Sequence, residues 1–177
     1  LCRDIAQKFN NDYNLEEFLK VPEPLIQKDF SRIMSLKDGT KKMSKSELSD
    51  LSRINLTDHE DSIMNKIKKA KTDSLPLPVS SLELNERPEA KNLLGIYSSI
   101  NNYTIEKTLN EFKAKNFSEL KEKLSQVLVE KIGPISSEIN RLIKDESFLD
   151  KILLDGQEKA NELASKKLKK MQEIIGF

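Results

Sequence analysis

The spacing of apolar residues predicts a chain that is helical through most of its second half. From about residue 89 onward, leucine, isoleucine and valine recur every three or four positions, the period of a helix with one buried face. We therefore expect helices near residues 89–101, 105–113, 118–143, 146–154 and 157–174. Gly133-Pro134 should bend or break the third of them, Gly156 should separate the last two, and Gly176 should cap the last.

The first half of the chain shows shorter and more varied patterns. Residues 3–9 are predicted to end a helix, residues 10–31 to be mainly loop, and the proline- and serine-rich residues 75–88 to be a linker or long loop. The apolar run 33–36 is typical of a buried strand of a parallel sheet, and residues 54–56 alternate like a small strand.

A helix is also predicted between these strands and the linker. Thr57 and Glu60 have the spacing of a capping box, and Ile63, Ile67 and Ala70 follow on one helical stripe. His59, which is the single histidine, then falls in the first turn, and we interpret it as a surface residue and not a metal ligand.

Composition narrows the class of protein. The chain has 177 residues, of which 37% are hydrophobic and 33% charged, which suits one folded domain or one and a half. No apolar run approaches the roughly 20 residues of a membrane helix. A single cysteine, Cys2, excludes a disulfide framework. Because Leu1 is neither an initiator methionine nor part of a signal peptide, we expect the chain to begin inside a longer protein.

The charge is balanced overall but locally clustered. The formal net charge is +1, while lysines gather at residues 41–45, 66–71 and 166–170. Such clusters permit one basic stripe along a phosphate backbone. The runs at 66–71 and 166–170 are, however, more typical of solvated helix faces near a helix C-terminus.

The sharpest candidate for chemistry is the loop Lys42-Met43-Ser44-Lys45-Ser46. Two lysines three apart can neutralise polyphosphate oxygens, and the serine hydroxyls can donate hydrogen bonds to them. Ser44 and Glu47 also have capping-box spacing, which predicts that a short helical turn starts there. A five-residue match taken alone fits a solvated surface turn equally well. The loop is not a Walker A motif, because no Gly-Lys-Ser/Thr follows Gly39.

The surroundings of the loop carry a family resemblance. The loop is the second signature of class I aminoacyl-tRNA synthetases. The matching stretches around it are residues 32–36, 38–41, 54–58, 67–74, 92–97, 117–120, 132–135 and 153–164. In this order they resemble tryptophanyl-tRNA synthetases of the bacterial type over essentially the whole chain. The stretch Ala70-Lys71-Thr72-Asp73-Ser74 favours the tryptophan family over its tyrosine relative.

The resemblance implies a fold and a separate role for each half of the chain. The fold would be an α/β Rossmann-type remnant of a catalytic domain in residues 1–74, followed by an all-α helical bundle in residues 75–177 that binds the tRNA anticodon. The chain would be mostly helical overall. The histidine signature and the tryptophan pocket of the family have no counterpart in this sequence, so the segment is expected to be catalytically incomplete alone.

The resemblance also implies site residues and ligands. ATP would be bound by Ile33, through its backbone, and by Lys42, Met43, Ser44, Lys45 and Ser46, with Lys42 and Lys45 catalytic. ATP is then a substrate, accompanied by Mg²⁺, with no protein metal site in this segment. The partners implied are tryptophan and tRNA(Trp), with no membrane, in a full-length homodimer. The location would be the cytoplasm, with the mitochondrion as the alternative.

Two alternatives stay open at this point. One is a non-enzymatic helical module that binds RNA or protein and carries the five-residue loop by accident. The other is the related tyrosyl-tRNA synthetase. Candidate RNA contacts are Arg87, Tyr97, Tyr103, Arg141 and the lysines of the last helix, but no tRNA-binding residue is assigned.

Overall fold

The computed structural model describes residues 1–26 and 31–177, and these residues are mostly helical. The helices are α1 (Cys2–Asp12), α2 (Glu60–Lys69), α3 (Ser81–Asn85), α4 (Pro88–Ile100), α5 (Ile105–Glu111), α6 (Phe117–Leu142) and α7 (Glu146–Ile175), with a 3₁₀ helix at Asp50–Ser52. The predicted loop over residues 10–31 begins later than expected, because α1 runs to Asp12, and its residues 27–30 lie outside the described part. In the part of the chain described, no helix is both long and apolar enough to cross a membrane.

The two predicted strands are not found, so the Rossmann-type remnant is not confirmed by the described residues. The pairing closest to a strand there is an isolated antiparallel bridge between Met34 and Lys42. The N–H of Ser35 donates to the carbonyl of Lys41 at 2.8 Å, and that of Leu36 donates to the carbonyl of Ser52 at 2.9 Å. These partners come from a turn and a 3₁₀ helix, which cannot continue the regular ladder that a strand requires.

The chain divides into two compact units, Leu1–Gln27 with Asp145–Phe177, and Lys28–Lys144. In the first unit, the buried Asn10 side chain pairs with the peptide groups of Leu19, donating at 2.7 Å and accepting at 2.8 Å. The ammonium group of Lys167 in α7 lies 3.8 Å from the centre of the Phe18 ring and donates to the Phe18 carbonyl. The predicted boundary between residues 74 and 75 separates a catalytic part from a tRNA-binding part, and it stays a prediction.

The core of the second unit forms around α6, which packs against both α2 and α4. The predicted stripe of α2 is confirmed, since Ile63, Ile67 and Ala70 are buried. The side chains of α6 that fill the core are Leu120, Leu124 and Leu128. A capping box between Asn116 and Glu119 starts α6, with the carboxamide accepting from the peptide of Glu119 and the carboxylate accepting from that of Asn116.

Neither of the two predicted helix breaks occurs, while the alternative of a bend at Gly133-Pro134 stays a prediction. Helix α6 continues through Pro134, although this proline lacks the N–H for one intrahelical bond. Buried side chains on both sides of it, from Leu128 to Ser136, hold the helix together. Helix α7 continues through Gly156, because a single glycine costs only about 1 kcal/mol relative to alanine. Gly176 ends α7 as predicted, with a φ of 89°.

The predicted start of α2 and the predicted linker also differ from the structure. The N-cap of α2 is His59, an exposed residue whose side chain makes no capping bond, so the predicted Thr57–Glu60 box does not form. At Ser44 the chain makes a single hydrogen-bonded turn that no helix continues, with the N–H of Glu47 donating to the carbonyl of Ser44 at 3.4 Å. The predicted linker over 75–88 contains α3, which Ser80 caps through the N–H of Glu83.

The turn before the candidate loop presses against the start of α4. Gly39 is buried, and a Cβ built there would lie 2.6 Å from the backbone nitrogen of Glu89 and 2.6 Å from the carbonyl carbon of Pro88. Glycine is therefore required here by the close approach of two backbones.

We expect Gly39→Ala to destabilise the protein by about 1–3 kcal/mol, because backbone must shift to admit the methyl group. Urea unfolding followed by circular dichroism measures this change. The matched control is Gly156→Ala, where nothing lies within 4 Å of the added Cβ and helix propensity should raise stability by up to about 1 kcal/mol. A Gly39→Ala protein as stable as the parent would show that the approach is looser than described.

Candidate functional site

The candidate loop is entered through an irregular hairpin. The chain runs out through Ile33 and Met34, turns at Asp38 and returns, with the N–H of Met43 donating to the carbonyl of Ile33 at 3.0 Å. In the turn, the hydroxyl of Thr40 donates to the Asp38 carboxylate at 2.6 Å and its N–H donates at 3.1 Å. These two bonds lower the pKa of Asp38 from its usual value, and the bond from the Thr40 hydroxyl has the larger effect. The carboxylate that shapes the turn is therefore charged at neutral pH.

A side chain from α4 holds the first arm of this hairpin. The Asn92 carboxamide accepts from the N–H of Met34 at 2.9 Å and donates to the Met34 carbonyl at 2.8 Å. It thus takes the place that a neighbouring strand would fill. Asn92 is buried and Met34 half-buried, so both bonds are partly shielded from water, where an unpaired peptide group is costly.

The five loop residues project from this support. Lys42, Ser44, Lys45 and Ser46 are exposed, and only Met43 is partly buried, packed against the core. The hydroxyls of Ser44 and Ser46 are 2.9 Å apart, and the N–H of Ser46 donates to the Ser44 hydroxyl at 3.3 Å. The serines therefore fold the loop into a compact turn.

The lysines of the loop differ in their surroundings. Lys41, just before the loop, has its ammonium group 3.6 Å from the Asp38 carboxylate. Among the described residues, no carboxylate lies within 4.0 Å of the ammonium groups of Lys42 or Lys45. Two neighbouring cations that no carboxylate of the described part neutralises make this turn suited to an anionic ligand.

Of the predicted site residues, the structure joins Ile33 and Met43 directly by a backbone hydrogen bond. The Ile33 side chain is 40% exposed, so it is not the core strand residue that the apolar run also allowed. Lys42 pairs with Met34 in the isolated bridge, next to Ile33. Lys45 and Ser46 lie further out in the turn. Their assignment to ATP stays a prediction.

The exit of the loop is held by residues that the sequence did not single out. The basic run 66–71 predicts a solvated Lys66 in α2, and this is wrong, because its side chain is only 2% exposed. Its ammonium group lies 2.6 Å from Asp50 and 2.6 Å from Asp58. One signal was available, since Lys66 lies three positions after Ile63 and next to Ile67 on the buried stripe.

The carboxylates around Lys66 are themselves organised. Asp58 accepts from the N–H of Asn55 at 2.8 Å, and Asp50 accepts from the Asn55 carboxamide at 3.0 Å. The hydrogen bond from Lys66, followed by that from Asn55, lowers the pKa of Asp50. The carboxylate at the loop exit is therefore charged under neutral conditions.

A mainly apolar cavity of about 580 Å³ adjoins the hairpin. It lies between the first arm, at Ile33 and Met34, and the helices α3 and α4, which contribute Asn85, Lys91 and Ile96. Within residues 1–26 and 31–177, no group of three or more histidine, cysteine or carboxylate side chains is arranged to hold a metal ion.

The residues proposed for RNA contact are mostly engaged in structure. Arg87 donates to both oxygens of the Asp73 carboxylate, at 2.5 and 3.0 Å. Tyr97 is buried, and its hydroxyl donates to Glu111 at 2.8 Å. Arg141 is exposed and donates to Glu138. Burial favours the interpretation of Tyr97 as a core residue.

The chain matches a known family model and curated proteins. The family described as tRNA synthetases class I (W and Y) matches residues 1–132. The Tryptophan--tRNA ligase of Brucella melitensis is 45% identical over 195 residues, covering 100% of this chain and 55% of that protein. The Tryptophan--tRNA ligase of Caulobacter vibrioides is 46% identical over 177 residues, covering 100% and 52%. The chain thus spans about half the length of these curated relatives.

Solved structures are similar as well. The crystal structure of tryptophanyl-tRNA synthetase from Mycoplasma pneumoniae matches 99% of this chain and 51% of its own, with a TM-score of 0.80 and 27% identity. The enzyme from Campylobacter jejuni, complexed with ADP and tryptophan, matches with a TM-score of 0.64 and 24% identity, over 99% and 52% of the two chains. At that identity the second match is evidence about the fold alone.

We expect Asn92→Leu to destabilise the protein by about 1–3 kcal/mol, because the half-buried Met34 peptide groups lose their hydrogen-bond partner. Thermal unfolding measures the loss. Asn110→Leu, on the exposed face of α5, is the matched control and should change stability by no more than about 0.5 kcal/mol. Equal effects of the two substitutions would contradict the role given to Asn92.

Proposed function

Because this chain belongs to the family of class I tRNA synthetases that comprises the tryptophan and tyrosine enzymes, we propose that it forms the ATP-loop and helical part of a tryptophan–tRNA ligase. The observation that carries this proposal is the exposed turn in which Lys42 and Lys45 lack a carboxylate partner among the described residues. The choice of tryptophan rests on the curated relatives that are 44–46% identical to the whole chain.

The proposed reaction is the activation of tryptophan by ATP. The tryptophan carboxylate attacks the α-phosphorus, the bond to the bridging oxygen breaks, and pyrophosphate leaves with the electron pair. Lys42 and Lys45 neutralise the charge that builds on the leaving group, and Ser44 and Ser46 donate hydrogen bonds to phosphate oxygens. Mg²⁺ accompanies ATP and supplies further positive charge to the phosphates.

The backbone around Ile33 is proposed to contact the adenine. Its support is the hydrogen bond that joins Ile33 to Met43, which links the first arm of the hairpin to the loop itself. A nucleotide held at Ile33 would therefore be close to the lysines that follow Met43. The adjoining cavity of about 580 Å³ has the size of a small-molecule site.

The remainder of the proposal concerns the whole protein. Residues 1–74 are assigned to the catalytic domain and residues 75–177 to the region that binds tRNA(Trp), to which the activated tryptophan is transferred. Because the chain spans about half of its curated relatives, we assign it no complete activity by itself. Assembly as a homodimer and a cytoplasmic location, or alternatively a mitochondrial one, rest on the family resemblance.

Lys45→Ala should lower the rate of tryptophan-dependent ATP–pyrophosphate exchange by about 10²–10³-fold, because a cation that stabilises the leaving group is lost. The assay uses the longest natural form of the protein that contains this chain. Lys41→Ala is the matched control: this neighbouring lysine already faces Asp38, so exchange should stay within about threefold of the parent.

The choice of amino acid separates the candidate functions. Exchange with tryptophan and not with tyrosine supports the tryptophan enzyme, and the reverse result supports the tyrosine relative. A well-folded protein that supports exchange with neither amino acid would contradict the synthetase proposal and leave a helical binding module.

A further inference from the structure

The buried ammonium group of Lys66 has more counter-charge than its own burial requires. A buried lysine is costly unless it is paired and hydrogen-bonded. Asp58 already provides such a partner at 2.6 Å and is itself only 9% exposed. The second carboxylate, Asp50, lies at the same distance and is 57% exposed. Asp58 alone can neutralise Lys66, and Asp50 also pairs with Arg53 of its own turn at 3.1 Å. The contact with Lys66 is therefore the ion pair that joins Asp50 to another element, helix α2.

Asp50 lies at the point where the loop rejoins the core. It begins the 3₁₀ helix Asp50–Ser52, four positions after Ser46. The carbonyl of Ser52 accepts from the N–H of Leu36 at 2.9 Å, so this short helix also touches the first arm of the hairpin. The ion pair with Lys66 therefore fixes the chain end that leaves the loop, as Asn92 fixes the end that enters it.

Helix α2 is a firm support for this contact. Ile63 and Ile67, on either side of Lys66, are fully buried against the core. Lys121 of α6 donates to the carbonyls of Lys68 at 3.1 Å and Ala70 at 2.7 Å, which secures the end of α2. An ion pair to a well-packed helix restricts the movement of its exposed partner, because a charge-assisted hydrogen bond is short and tolerates little displacement.

We propose that Asp50 and Lys66 are positioning residues for the loop: their ion pair holds the loop exit so that Lys42 and Lys45 meet the phosphates of ATP in a fixed register. This inference rests on the proposed function, and it assigns to the pair no contact with the substrate. Misplacement of charged groups by about 1 Å can lower a rate up to about 10²-fold, so an effect on kcat is expected.

The decisive variant is Asp50→Asn, which removes the charge at the exit and leaves the buried pair of Lys66 and Asp58 in place. Hydrogen exchange of the amides of Ser52 and Arg53, which bond back to Ser49 and Asp50, should become about tenfold faster. In ATP–pyrophosphate exchange, kcat should fall about tenfold while the KM for tryptophan stays unchanged. Asp50→Glu, which keeps the charge, should restore part of the loss.

Glu138→Gln is the matched control. Glu138 is a carboxylate of similar exposure, 55%, that pairs with Arg141 far along the chain from the loop. This variant should change neither the exchange of the Ser52 and Arg53 amides nor kcat. If Asp50→Asn leaves those amides unchanged, or if Glu138→Gln changes them equally, the inference is overturned.

The two readouts separate this inference from the proposed function. A parent protein without tryptophan-dependent exchange would contradict the proposed function. Even then, faster hydrogen exchange of the amides at the loop exit in Asp50→Asn would support the proposal that the ion pair of Asp50 and Lys66 holds this exit. Unchanged hydrogen exchange of these amides would overturn that proposal. Loss of kcat in Asp50→Asn without faster amide exchange would also overturn it, since the pair would then act by another route.

Discussion

The pairing of the Asn92 carboxamide with the Met34 peptide is the contact on which the arrangement of the loop depends. Peptide groups in a buried segment need partners, and within the described residues no neighbouring strand supplies them to Met34. A side chain from α4 fulfils the requirement and ties the hairpin to a helix. The same solution recurs in the other unit, where Asn10 pairs with the peptide groups of Leu19.

The two ends of the loop are both held by helices that pack against α6. Asn92 lies on α4 and Lys66 on α2, and both helices pack against α6. Because closely packed interiors transmit displacement, a shift of either helix against α6 would move one end of the loop relative to the other. Helix α6 thus helps to set the distance between the two ends of the loop.

Held ends and an exposed middle would suit the proposed contact of this loop with a polyphosphate. The lysines in the middle are exposed, so they can adapt to a ligand, while the anchors limit the conformations they explore. Cations held near one place lose less entropy on binding than cations on a free segment. In a synthetase, this balance would let the loop close on ATP and open again to release pyrophosphate.

The sequence by itself determined the elements whose signals are local. Helical periodicity located α2, α4, α5 and α6 to within a few residues, and the loop with its ordered surroundings identified the family. The sequence-based prediction of helix ends was wrong where a single glycine or proline lies inside a helix that its neighbours stabilise. Gly156 does not interrupt a helix that propagates through it, and Pro134 lies between stretches held by the core.

The tertiary structure alone decided which polar residues are buried. In the sequence, Lys66 is one lysine in a basic run and Asn92 one polar residue before two leucines. Their roles follow from partners distant in the chain: Asp50 for Lys66, and Met34, 58 residues away, for Asn92. A polar side chain enters a core only where specific partners repay its dehydration, and composition and periodicity carry no record of those partners.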